Sequence, residues 1–190
     1  MEIKHRKRVR HFDEPGHAHF LTFSCFHRLP LLSKDRTRLW MVDAINRARK
    51  KHGFHVWAWV LMPEHVHLLI WPQQPASTAE ILRSIKIPVA KRAIAYLKVQ
   101  APQYLEKLIV RVAGVSEYRF WQTGSGYDVN VIEPTQVYAV VEYIHNNPVL
   151  RGLVDTATAW KWSSAIDWLG QRQSLIMLNK ESLPAMNAMG

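Results

Sequence analysis

The chain has 190 residues, 48% of them apolar, with 25 lysines and arginines against 15 aspartates and glutamates, a formal charge of +10. That length suits one domain with a real core, and the positive surplus favours a polyanionic partner, either nucleic acid or an anionic membrane surface. A single cysteine, Cys25, excludes an internal disulfide and a cysteine-based metal cluster, and no apolar run approaches the length of a membrane span.

In chain order, the first segment, "MEIKHRKRVRHF", is basic and has no apolar run behind it, so it does not read as a secretory signal. Residues 1–14 are expected to form a basic arm, with Lys4, Arg6, Lys7, Arg8 and Arg10 as candidate phosphate contacts. These features predict a reduced, intracellular protein and make nucleic acid a better partner than membrane. "HAHFLTFSCF" at 17–26 is rich in aromatic and β-branched residues and predicts a strand. From Ser33 to His52, Leu39, Val42, Ile45 and Ala48 recur at helical spacing, and Gly53 follows as a stop.

"HVWAWVLMPEHVHLLIW" predicts two strands joined at Met62-Pro63-Glu64, because a proline cannot sit in a central strand. Ser77 and Glu80 have the spacing of a capping box opening the next helix, and Pro88 is expected to split or kink that helix. Arg83, Lys86, Lys91, Arg92, Lys98, Lys107 and Arg111 give this region a basic face suited to tracking phosphates. "YRFWQ" at 118–122 predicts a short strand or strand-like link. Pro134 opens a last helix expected to end near Asn146-Asn147-Pro148. The tail from Gln171 is weakly patterned. Single-domain organisation over 15–170, with a tail at 171–190, is the expectation. The fold class is α+β, with a mostly antiparallel sheet flanked by helices.

"PEHVHLLIW" at 63–71 carries two histidines inside an apolar run. On a strand, His65, His67 and Leu69 share one face, while Val66, Leu68 and Ile70 take the other and face the core. The two imidazoles then project in parallel, within reach of one metal ion. An isolated pair of this kind is more often surface or hydrogen-bonded than ligating. The Pro134 helix has an apolar stripe of Val137, Val140, Val141 and Ile144, with Tyr143 and Asn147 stacked four apart beside it. If the stripe packs on the strand of His65 and His67, the Asn147 amide oxygen can reach the same ion and Tyr143 lies one turn away. Taken singly, Tyr143 reads as a core-edge tyrosine and Asn147 as a helix terminator.

Together these pieces resemble the REP-associated tyrosine transposases, within the broader histidine–hydrophobic–histidine single-strand transposases. The matching segments are "VLMPEHVHLLI" at 60–70, "FWQTGSGYD" at 120–128, "YIHNNPVLRGLV" at 143–154 and "WKWSSA" at 160–165, with "FLTFSCFHRLPLL" at 20–32 resembling the opening strand. After "GYD" the family often carries arginines, whereas Val129 and Asn130 stand here. The resemblance implies an antiparallel sheet related to the ferredoxin-like arrangement. It implies a divalent cation, Mg²⁺ or Mn²⁺, held by His65, His67 and Asn147, and Tyr143 as nucleophile in preference to Tyr127 or Tyr138. The implied reaction is cleavage and rejoining of single-stranded DNA at hairpins of the REP type through a 5′-phosphotyrosine, by a monomer or homodimer in a prokaryotic cytoplasm, associated with the nucleoid. Trp121 and Trp162 are candidates to stack on unpaired bases beside contacts from Arg83, Lys86, Lys91 and Arg92, although core packing is the commoner fate of a tryptophan. Two readings compete with this one: a hairpin-binding protein on the same fold without the chemistry, and a zinc hydrolase using Glu64 as base. Strand alternation puts Glu64 on the Val66 face, away from the imidazoles, which weighs against the hydrolase.

Overall fold

The computed structural model describes residues 14–73, 77–124, 126–171 and 173–185. The arm cations Lys4, Arg6, Lys7, Arg8 and Arg10 lie outside the described residues. Strand β1 (Ala18–Ser24) leads through helix α1 (Asp35–His52) into strands β2 (Phe54–Leu61) and β3 (His65–Pro72), followed by helix α2 (Thr78–Gln100). A one-turn helix α3 (Pro102–Leu105) precedes the two-stranded hairpin β4 (Ile109–Val112) and β5 (Val115–Tyr118). Strand β6 (Tyr127–Val131), helix α4 (Pro134–Leu150) and the short α5 (Ala165–Trp168) follow.

The main sheet runs in the order β2-β3-β1-β6, and every neighbouring pair is antiparallel. With α1 and α2 as the two crossovers, this is a ferredoxin-like β-α-β-β-α-β path to which α4 is added. One face of the sheet carries Leu21, Phe23, Val66, Leu68 and Ile70 into a core completed by Met41 and Ile45 of α1 and by Ile81, Ile85 and Val89 of α2. The other face sets Ala58, Val60 and Leu69 against Val137, Val141 and Ile144 of α4. A register shift between Val56 and Ala58 lets β2 serve both faces. It breaks strict alternation, so Val56 and Trp59 enter the first core while Ala58 and Val60 enter the second. Among the described residues no helix is long and apolar enough to cross a membrane.

Most of the predicted boundaries hold, for the expected reasons. Gly53 closes α1 in the left-handed region at φ 62°, and the Ser77 side chain accepts from the Glu80 amide at 3.2 Å to open α2. Two prolines sit inside helices. Helix α2 runs uninterrupted through Pro88, whose exposed ring sits outside the buried line of Ile85, Val89 and Ala93 that holds the helix to α1. Helix α4 ends at Leu150, two residues past Pro148 and near the expected stop, with Asn147 and Pro148 both buried in its last turn. The hairpin β4–β5 gave no clear pattern in sequence, and its residues are mostly exposed.

The tail after residue 170 joins the fold. Ile176 is fully buried, and Asn179 pairs with the outer edge of β2, its amide donating to the Val56 carbonyl at 2.9 Å and its side-chain oxygen accepting from the Val56 amide at 3.2 Å. Further along that edge the Leu61 amide donates to the Trp162 carbonyl at 2.8 Å. A sheet edge that would otherwise be open is thus covered.

Cys25, at the end of β1, is fully buried, and burial pushes its thiol up to about 12. Only about one molecule in 10⁴ then carries a thiolate at pH 8, against roughly a quarter for an exposed cysteine. Iodoacetamide should therefore label the native protein at least ~10³-fold more slowly than the same chain in guanidinium, read by intact mass. Equal rates would show the end of β1 to be open.

Candidate active site

Strand β3 places His65 and His67 on the sheet face that α4 covers, where they are 5% and 4% exposed. Their Nε2 atoms approach to 3.0 Å. The outer nitrogen of each ring has its own partner. His65 Nδ1 lies 3.1 Å from Glu64 Oε1, and His67 Nδ1 lies 2.7 Å from Thr22 Oγ1, reached because Thr22 of β1 is the register partner of His67. Burial lowers the pKa of both imidazoles. For His65 the Glu64 carboxylate partly offsets it, whereas for His67 the neighbouring His65 and Arg28 reinforce it, to about 3. Both rings are therefore neutral at physiological pH and keep a lone pair.

Helix α4 opens with Pro134 at its first turn and a reciprocal capping box between Glu133 and Gln136. Its apolar stripe fixes the helix on the sheet and aims Asn147 at the imidazole pair. Asn147 is 6% exposed, and its Nδ2 lies 3.2 Å from His67 Nε2 while its Oδ1 is buried with no hydrogen-bond partner. One turn earlier, Tyr143 is 45% exposed, its ring centroid 5.4 Å from that of His67. Phe20 of β1 stacks on His67 at 5.5 Å and meets the Tyr143 ring edge-on at 5.9 Å. The four residues expected to converge do so: a solvent-facing phenol beside two buried imidazoles and a carboxamide.

The proton arrangement at this cluster matters. His65 donates from Nδ1 to Glu64, so its Nε2 presents a lone pair. If His67 donates from Nδ1 to Thr22, two nitrogen lone pairs face each other at 3.0 Å. A cation between them removes that conflict, since ligands about 2.1 Å from one ion and at right angles lie about 3.0 Å apart. A half-turn of the Asn147 amide exchanges its two atoms and brings the unpartnered oxygen toward the same point. Among the described residues no group of three His, Cys, Asp or Glu side chains is placed to hold a metal. A third protein ligand here would be a neutral oxygen, and two imidazoles with one amide oxygen make a donor set that fits a divalent cation.

Glu64 stands elsewhere than alternation suggested. It belongs to the turn before β3, where strand alternation does not apply. Its carboxylate bends round to the far nitrogen of His65, with Arg151 Nη2 at 3.1 Å and Arg28 Nη2 at 3.4 Å on the same oxygen. It orients the imidazole from behind and is not aimed at the side where a water on a metal would sit, so the hydrolase assignment loses its base for this geometric reason. Sequence reading missed Glu64 and Thr22 as orienting groups. The turn position of the first and the β1–β3 register of the second were the signals.

The other candidates divide. Trp121 and Trp162 are corrected from base-stacking platforms to core residues. They are 7% and 4% exposed, Trp121 lies edge-on to Phe23 and donates from Nε1 to the Lys86 carbonyl at 2.8 Å, and Trp162 carries Arg38 and Lys161 over its ring. Lys86 is half-buried and donates to the Gly124 carbonyl at 2.9 Å. Arg83, Lys91 and Arg92 are exposed on α2, which packs on the sheet face opposite α4, and Arg92 lies over the Trp40 ring. Of the competing tyrosines, Tyr138 donates to the Pro184 carbonyl at 3.1 Å, away from the imidazoles, while Tyr127 borders a cleft of about 500 Å³ together with Tyr143 and His67.

An antiparallel sheet bearing a buried histidine pair is met here by a helix that carries an accessible tyrosine and a buried asparagine. The pattern of the IS200-like transposases matches residues 16–147. A REP-associated tyrosine transposase of Haemophilus influenzae is 26% identical over 150 residues, covering 70% of this chain and 76% of its own length. The structure of a REP-associated tyrosine transposase bound to a REP hairpin superposes with a TM-score of 0.66 at 19% identity, covering 96% of each chain, a likeness of fold. The chain belongs to the IS200-like transposase family, the enzymes that cleave and rejoin DNA.

Proposed function

We propose that this transposase acts on single-stranded DNA next to a hairpin of the REP type, through a 5′-phosphotyrosine formed on Tyr143 with help from a divalent cation. The observation that carries the reading is the meeting of an accessible Tyr143 ring with His67 at 5.4 Å, where the orphaned Asn147 oxygen also lies. His65 and His67 through Nε2, and Asn147 through Oδ1, would hold the cation, with Mg²⁺ or Mn²⁺ matched to phosphate chemistry. When bound, it supplies Lewis-acid polarisation of the scissile phosphate. The Glu64 carboxylate, an acceptor only, fixes the His65 tautomer that leaves its Nε2 lone pair pointing inward, and Thr22, by accepting from His67 Nδ1, would do the same for His67.

Tyr143 attacks phosphorus: its O–P bond forms as the bond from phosphorus to the 3′ oxygen breaks. The phenol loses its proton and the departing 3′ oxygen gains one. The phosphodiester energy is kept in the tyrosyl ester, so another 3′-hydroxyl can reverse the step and reseal without a nucleotide cofactor. One nucleophile per chain suits one strand cut at a time.

The test is a hairpin oligonucleotide with a single-stranded flank, incubated with the full chain and Mg²⁺ or Mn²⁺. A protein–DNA band that survives denaturation, with a free 3′-hydroxyl on the other fragment and its loss on chelation, is the expected result. A free 5′-phosphate with no protein attached would instead indicate hydrolysis. Hairpin binding without any cleavage would leave the non-catalytic binding reading.

A further inference from the structure

The chemistry described above has no use for Tyr127, although Tyr127 borders the same cleft as Tyr143 and His67. Tyr127 opens β6 opposite Thr22 of β1 and is 54% exposed. Its ring meets Phe20 edge-on at 6.2 Å, and Phe20 in turn stacks on His67 and touches Tyr143. Three aromatic rings thus wall a cleft of about 500 Å³ with His67 beneath them, and none of the lining residues is acidic. That volume falls within the usual range for a bound small group.

The cleft does not end there. A second cavity of about 170 Å³ shares Thr22 and Tyr127 with it and continues past Gln122, Gly124 and Gly126. A third, of about 370 Å³, shares Lys86 and Gly124 with the second and ends at Arg83 and Ile87. The three adjoining cavities, sharing lining residues pairwise, trace a trough-like path from Tyr143, past Tyr127, round to the α2 side of the sheet and exposed Arg83. Gly126 makes it possible: it has φ +88°, and a side-chain carbon there would fall 2.1 Å from the Thr22 carbonyl oxygen, so any other residue would lift this turn off β1 and carry Tyr127 away from the cleft. On the other side of the turn Lys86 fastens the Gly124 carbonyl from below. A polar, half-exposed aromatic ring held this firmly beside a reactive phenol, on a chain of charge +10, fits a flat π-face and a phosphate backbone better than any other chemistry.

We infer that Tyr127, backed by Phe20, stacks on the unpaired nucleobase next to the scissile phosphate, and that the single strand follows the trough over Gly124 toward Arg83. Tyr127 is thereby a positioning residue for the strand, distinct from the nucleophile. The inference rests on the DNA-cleavage reading above, and its test separates the two. A hairpin oligonucleotide carrying 5-iodouracil at successive flank positions, irradiated with the Tyr143→Phe protein, should crosslink to Tyr127 from one position beside the cleavage point, as mapped by mass spectrometry. Tyr127→Ala should slow adduct formation about tenfold at saturating DNA while hairpin affinity stays within about twofold, and Tyr127→Phe or Tyr127→Trp should restore the rate. Crosslinks mapping away from the cleft, an unchanged rate in Tyr127→Ala, or a Phe variant as slow as the Ala variant would overturn the inference while leaving the cleavage reading intact. Absence of any adduct with the parent protein would instead remove the cleavage reading itself.

Discussion

Replacing Tyr143 by phenylalanine is expected to abolish the covalent protein–DNA adduct, lowering its rate on the order of 10⁴-fold or more, while hairpin affinity stays within about twofold. The substitution removes one oxygen and nothing else. The ring keeps its edge-on contacts with His67 and Phe20, and at 45% exposure it leaves no buried cavity behind. No other oxygen takes over. Tyr138 is tied to the Pro184 carbonyl, and Tyr127 stands on β6, off the helix that aligns Tyr143 with Asn147. Denaturing gels report the adduct and gel shifts report binding, so lost chemistry is separated from lost recognition. A variant that cleaves as fast as the parent would show that the nucleophile is another residue.

How much of this was legible in the sequence depends on the range of the interaction that decides each feature. Period-two alternation located His65 and His67 on one strand face, and period-four spacing put Tyr143 beside Asn147, since both are rules of local backbone geometry. That the two elements meet around one point followed only from the family resemblance. Pairing and packing across long separations left weaker traces. Thr22 reaches His67 through a register 45 residues away, and Asn179 seals β2 from 123 residues away. Neither partner is marked by its neighbours in the chain. Glu64 was misplaced because strand alternation was extended into a turn. Trp121 and Trp162 stayed open between base stacking and core packing because a tryptophan in a basic protein looks the same in sequence whether its ring lies in the core or on the surface. At Pro88 buried neighbours on α2 outweigh the backbone hydrogen bond that a helical proline forgoes, so the proline does not split the helix.

His67→Ala is expected to remove cation binding and to lower adduct formation by about 10³-fold, and its two effects on stability can be told apart. His67 is the hub of the cluster, with His65, Asn147 and Thr22 all within 3.2 Å of its ring nitrogens. Truncation removes one of the three proposed ligands and leaves two buried polar groups, on His65 and Asn147, short of a partner, which costs roughly 1–3 kcal/mol each where nothing replaces it, while the half-buried Thr22 hydroxyl can turn to water. A lower melting temperature alone would therefore prove only a structural role. The cation supplies the discriminating measurement. At a Mn²⁺ concentration of about 100 times Kd, a ligand binding only the folded state adds about 2.7 kcal/mol, or some 5–10 °C in a domain of this size. The parent should show that rise and His67→Ala should show none. Thr22→Val keeps all three ligands and loses only the hydroxyl that orients His67, so it should fall between them, with Mn²⁺ affinity about 10–100-fold weaker and a proportionate loss of adduct rate. If His67→Ala gains as much from Mn²⁺ as the parent, the cation is held elsewhere. If the parent gains nothing, the facing nitrogens at 3.0 Å are reconciled by a proton on His67 Nε2, with Thr22 donating to Nδ1.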